Sequence, residues 1–200
     1  ENSATTFKLP VRDPDMPLSL GPGHAAALKP LQSSAYWGDE AIWETRANNH
    51  NSMFDRQGRL WLAAAVRGPD NPSFCKQGSD HPSAKAFPME RTNRHLAMFH
   101  PKTQKYTFVD TCFGTHHLQF GYDANETLWT SGGGPVVGWV STKEFDRTAD
   151  AAKSQGWTAL VLDTNGNGKR DAHVEPNQPA DPAKDTRINA PFYAVMPSPV

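Results

Sequence analysis

The 200-residue chain has no excess charge of either sign. Lys and Arg total 20 and Asp and Glu total 21. There is thus no basic field to attract nucleic acid and no polybasic arm for anionic lipid. No apolar run approaches the ~20 residues that span a bilayer as a helix. No G-x-S-x-G elbow, H-E-x-x-H zinc helix or Walker phosphate loop occurs. "SGGGP" at 131–135 lacks the following helix and Lys of a phosphate cradle, and reads instead as a place where strands approach closely. Cysteine is scarce, with two in the chain, and no metal-type Cys spacing exists, which argues against a cysteine-held zinc or iron–sulfur centre. The start, "ENSATTFKLP", carries neither the charged n-region nor the apolar h-region of a signal peptide; a mature chain whose leader had been removed would read the same.

What is present is loop-forming. The 17 Pro, 15 Gly and 6 Trp point to an all-β or irregular architecture. Residues 1–35 are rich in proline and read as an extended lead-in rather than a packed element. One stretch reads as a helix, Ser141 to Gly156, with Ser141 or Thr142 as cap, Glu144 in the first turn and Gly156 as terminator. Elsewhere the signals are short strands: "RLWLAAAV", "HLAMFHP", "KYTFVDT", "LWTSGG", "VVGWVS", "TALVL" and "FYAVMPS".

An internal repeat organises them. "NHNSMFDRQGRLWLAA" lies on "HHLQFGYDANETLWTS". In both, an aromatic–Asp pair (Phe54-Asp55, Tyr122-Asp123) stands five residues before Leu-Trp (Leu60-Trp61, Leu128-Trp129). The physical unit is a hairpin: the Asp starts a tight turn and Leu-Trp begins the returning strand. Between the copies lies a second hairpin with the turn "HPKTQK", and "FYAVMPSPV" reads as the start of a third copy. Two hairpins per unit make a four-stranded blade, and radial repetition of blades is a β-propeller. The expected fold is therefore all-β: propeller blades over 36–200 after the lead-in, with only part of the ring in this chain.

The segments "HNSMFDRQGRLWLAAAV", "CKQGSDHPSAKAFP", "FVDTCFGTHHLQF", "LWTSGGGPVVGW" and "TALVLDTNGNGKRD" resemble secreted bacterial proteins with a streptogramin-lyase-like (virginiamycin B lyase-like) β-propeller, often described as carboxypeptidase-regulatory-like. The resemblance covers roughly 36–200. It implies a secreted or periplasmic propeller, and further blades or a protein partner to complete it. That family's catalytic region is not matched residue by residue, so no catalytic role is carried over.

"DTNGNGKRD" follows an apolar run and sets oxygen-bearing residues at alternate positions. Hard cations such as Ca2+ take six to eight oxygens. Side chains at positions 1, 3 and 5 converge, a glycine at 6 reverses the chain, the carbonyl at 7 points inward and position 9 closes the site. Asp163, Asn165, Asn167, Gly168, Lys169 (through its carbonyl) and Asp171 meet these conditions. An EF-hand would add Glu at position 12, where Val174 stands. The pattern is similar to the cation loops in hairpins of integrin-type propellers. A polar Asn-Gly turn is the alternative reading.

Cys75 and Cys112 read as either one disulfide or two buried thiols, with the disulfide favoured for a secreted chain. Among eight histidines, His50, His116 and His117 fall just before the repeated aromatic–Asp pairs. On a propeller that places them on innermost strands, where imidazoles hold a metal, act as acid and base, or simply hydrogen-bond between blades. Strand alternation puts His117 on the channel face with His50 and turns His116 between blades, with a bulge near Gly121 absorbing a one-residue offset. His24, His81, His95, His100 and His173 read as solvated loop residues. The leading functional expectation is an extracytoplasmic, calcium-binding module for an unidentified small-molecule or polymer ligand or a protein partner. A lyase or hydrolase using His50 and His117 is the alternative, and a structural part of a surface assembly the third.

Overall fold

The computed structural model describes residues 3–16, 47–132, 134–189 and 192–198. The remainder of the lead-in, including His24, lies outside the described residues. Among the described residues, eleven strands form three sheets. The first is an antiparallel meander of β1 (Ser52–Phe54), β2 (Leu60–Ala64), β3 (His95–His100) and β4 (Lys105–Val109). The second repeats it with β5 (His117–Phe120), β6 (Thr127–Ser131), β7 (Val136–Ser141) and β8 (Gln155–Ala159). The third holds β9 (Val161–Leu162), β10 (His173–Val174) and β11 (Asp185–Arg187), with β11 central, antiparallel to β9 and parallel to β10. Each expected pair of hairpins thus makes one four-stranded antiparallel sheet. The sheets form no closed ring among the described residues.

The repeated hairpin is built as the sequence suggests. Met53 faces Trp61 and Phe54 faces Leu60, while Gln119 faces Trp129 and Phe120 faces Leu128. Asp55 closes the first turn. Its carboxylate accepts from the backbone N–H of Gln57 and of Arg59, from Arg59 Nε at 2.6 Å and from Trp61 Nε1 at 2.9 Å. Burial alone would raise the Asp55 carboxyl. The Trp61 and Arg59 donors outweigh it and hold the group below its usual value. Arg59 also reaches Asp146 with a bidentate pair at 2.6 and 2.9 Å, which fastens the first sheet to a helix that follows β7.

Side-chain alternation sends Trp61, Ala63, Leu96 and Met98 into a core shared with Leu118, Leu128, Val140 and Trp157 of the second sheet. The intervening residues Leu62, Ala64 and Ala97 pack under Leu9 and Ala47. The sequence reading of the lead-in as unpacked is corrected here. Residues 3–16 form neither helix nor strand, yet Leu9 and Met16 are buried. Arg12 donates its backbone N–H to the Val66 carbonyl and its guanidinium to Asp110. Sheet one is therefore covered on both faces, which is why "LWLAAAV" is apolar without alternation.

The long segment between β2 and β3 carries a 3-10 turn (Ser73–Cys75) and α1 (Pro82–Ala86). Cys75 is bonded to Cys112, with Cα atoms 5.3 Å apart. Closing this loop stabilises the fold by roughly 3–4 kcal/mol in the chain-entropy view. The same segment lies on the second sheet: His81 stacks on Trp157 at 4.7 Å, and Trp157 Nε1 donates to the Phe87 carbonyl.

The single helix expected over 141–156 is two. Ser141 caps α2 (Thr142–Thr148), Asp150 caps α3 (Ala151–Ser154), and the chain turns at Ala149 with φ of 53°. Gly156 lies inside β8 instead of ending a helix. "TALVL" is likewise divided, Thr158 and Ala159 in β8 and Val161–Leu162 in β9. "FYAVMPS", expected as a strand, is irregular over 192–198. "SGGGP" does permit close approach: a Cβ on Gly132 would sit 2.0 Å from the Gly114 carbonyl oxygen.

Candidate functional site

Two clusters carry chemistry. The first gathers His50, His116 and His117, where the chain enters the first strand of each four-stranded sheet. His50 and Asn51 together oppose Ala63, since His50 donates its N–H to the Ala63 carbonyl and Ala63 donates to the Asn51 carbonyl. The bulge expected near Gly121 thus falls in the other copy, at His50 and Asn51. The turns differ by two residues, 55–59 in one copy and 121–127 in the other, and the bulge takes back one of them. The Asn51 side chain crosses to the second sheet and accepts from Leu118 N–H at 2.9 Å. It fixes the two entry strands side by side.

The imidazoles meet as a consequence. His50 Nε2 and His117 Nε2 are 3.4 Å apart. His116, expected between sheets, instead stacks on His50 with ring centres 3.8 Å apart. It precedes β5, so strand alternation does not aim it. Tyr193 packs on both His116 and His117, at 5.2 and 4.4 Å, and its carbonyl accepts from Ser131 Oγ. Burial, the nearby Arg94 and the His117 ring lower the His50 pKa. Burial, followed by the His50 and His117 rings and Arg94, brings His116 down to about 4. At neutral pH both are neutral imidazoles, able to accept a proton or a metal.

Beside His116 opens a cavity of about 440 Å³, lined among others by Arg91, Arg94, Thr115 and Gly132. Burial lowers the Arg94 pKa. Arg94 lines this recess with its guanidinium-bearing side chain. The chemistry of this end is a polar, cationic recess beside three imidazoles.

The second cluster is the loop between β9 and β10. Gly166 and Gly168 take φ of 74° and 72°, which glycine allows at little cost. Their N–H groups, with that of Asn167, donate to the two carboxylate oxygens of Asp163. Asn165 and Asn167 accept from the backbone of Asn167 and Lys169 and donate their amides to Asp171 Oδ2. The Asn165 and Asn167 amides hold the Asp171 carboxyl below its ordinary pKa. Asp163 thus closes the turn on its own backbone, while Asn165 and Asn167 gather on Asp171.

One member of this cluster was not visible in the sequence. Asp185 of β11 is 1 % exposed. Its Oδ2 accepts from Asp171 N–H at 2.7 Å, while its Oδ1 is buried with no hydrogen-bond partner. It lines a recess of about 270 Å³ with Asp163, Gly168 and Lys169. Asp185 reaches the loop by strand pairing, 14 residues beyond Asp171, so no local spacing announces it. Counting one oxygen from each of Asp163, Asn165, Asn167, Asp171, Asp185 and the Lys169 carbonyl, the donor set has the composition a hard cation requires.

No family model, curated protein or solved structure matches the chain. Among the described residues no helix is long and apolar enough to cross a membrane.

Proposed function

We propose that the protein is an extracytoplasmic, calcium-stabilised binding module, built as part of a β-propeller. It holds an anionic ligand or a partner at the end where its two meanders begin. The observation that carries the calcium reading is Asp185. A buried carboxylate oxygen without a partner is costly, and a cation in the adjoining recess would remove that cost. Asp163 and Asp171 supply two further charges, and Asn165, Asn167 and Lys169 supply neutral oxygens. Binding requires Asn165 and Asn167 to turn their amide oxygens toward the ion in place of the N–H groups that now face Asp171. The propeller reading is supported by two successive four-stranded meanders whose first strands are linked through Asn51. The disulfide fits an oxidising compartment. The recess with Arg91 and Arg94 supports an anionic ligand.

Calcium titration of chelator-treated protein tests this reading. One Ca2+ should bind, and at 100 times Kd it should add about 2.7 kcal/mol of stability. Asp163→Ala should abolish binding. Asp185→Asn keeps the shape and the acceptor for Asp171 N–H, and should weaken binding by about tenfold or more, or about 1.4 kcal/mol. Unchanged calcium affinity in Asp163→Ala would overturn the assignment.

A further inference from the structure

We infer that His50, His116 and His117 form a three-imidazole site for a divalent transition metal, zinc in the first instance, with a coordination position left open toward the Arg91–Arg94 cavity. The site is separate from the calcium loop and stands or falls independently of it.

Geometry carries the inference. One ring nitrogen from each histidine can be chosen so that all three lie within 4.8 Å of one another. Zinc–nitrogen bonds of about 2.0–2.1 Å at tetrahedral angles set nitrogens about 3.3–3.4 Å apart. His50 Nε2 and His117 Nε2 are already at 3.4 Å. His116 must swing from its stack on His50 to bring a nitrogen in. His116 is half-buried, and its nitrogen already lies within 4.8 Å of the other two. The backbone around the trio is fixed from both sheets: His50 is held on Ala63, and Asn51 is held on Leu118.

Donor chemistry chooses the metal class. Three imidazoles with no carboxylate among them suit Zn2+, Cu2+ or Ni2+, and are poor partners for Ca2+ or Mg2+. Three protein ligands leave a fourth position. His116 borders both the trio and the cavity, so that position faces the guanidinium-bearing recess. A water there, or a carboxylate or other oxyanion of a ligand, would meet the metal on one side and Arg94 on the other. Tyr193 packs against the His116 and His117 rings.

The test is calorimetric titration of Zn2+ into purified protein with calcium held in large excess, so that the oxygen-rich loop does not compete. One zinc per chain is expected. His50→Ala and His117→Ala should each weaken it by about tenfold or more, or about 1.4 kcal/mol, while His100→Ala should not. A second measurement, independent of whether an alanine variant folds, is made on the unaltered chain. Zinc should shift the imidazole NMR signals of His50, His116 and His117 and leave those of His95 and His173 in place. No zinc uptake, an equal loss in His100→Ala, or signal changes centred on other histidines would overturn the proposal.

Discussion

His95 opens β3 with 0 % exposure, and neither of its ring nitrogens has a hydrogen-bond partner. It had read as a solvated loop histidine, because "HLAMFH" gives no sign of which residue begins the buried stretch. Burial lowers its pKa to about 3; Arg67 and Arg12 add to the shift and Asp110 opposes it. The unfolded chain protonates this ring near 6.5, so the stability it contributes is present above that pH and is lost as pH falls toward about 3. Each pH unit in that window costs about 1.4 kcal/mol. His95→Leu should flatten the acid limb of a urea-midpoint profile between pH 6.5 and 4. Parallel profiles for the two proteins would show that His95 does not set it. At this scale the sequence was legible where the interacting residues sit in one run, as in the turn from Asp163 to Asp171, and illegible where a distant strand delivers one side chain, as with Asp185. Arg94 and Tyr193 were missed for the same reason.

At the scale of elements, hairpins were legible because turn chemistry is local. Asp55 and Asp123 accept from the backbone two residues on, and that needs nothing from the rest of the fold. The helix after β7 was misjudged because its caps compete. Asp150 takes the N–H groups of Ala152 and Lys153 and starts a second helix where amphipathic spacing alone would continue the first. The junction falls on Ala149, in the left-handed region that a Cβ disfavours. Ala149 is exposed and donates its N–H to the Phe145 carbonyl, a bond glycine would keep. Ala149→Gly should therefore raise the urea midpoint, by about 0.5–1 kcal/mol in stability. A loss of stability would mean that unfolded-chain entropy outweighs relief of the strained φ. "FYAVMPS" failed as a strand for a different reason. Its apolar residues Tyr193 and Met196 stay exposed, and no neighbouring edge takes its backbone into a ladder among the described residues.

For the whole molecule, the 68-residue spacing of the Leu-Trp pairs led directly to two equal meanders, since each pair begins the same returning strand. How the meanders meet was not legible. Arg59 to Asp146, Asn51 to Leu118 and His81 on Trp157 are all contacts between residues more than 60 positions apart. The disulfide belongs to this scale too. The chain from Cys75 to Cys112 is a covalent ring that contains β3 and β4 whole, while β1 and β2 precede it. A protease that cuts once inside residues 76–111 should open the ring without releasing a piece. The nicked protein should keep its size on a non-reducing gel and separate into two fragments with reductant. Early fragment loss without reductant would contradict the bridge. A chain clipped within this excursion thus still presents both meanders on one molecule.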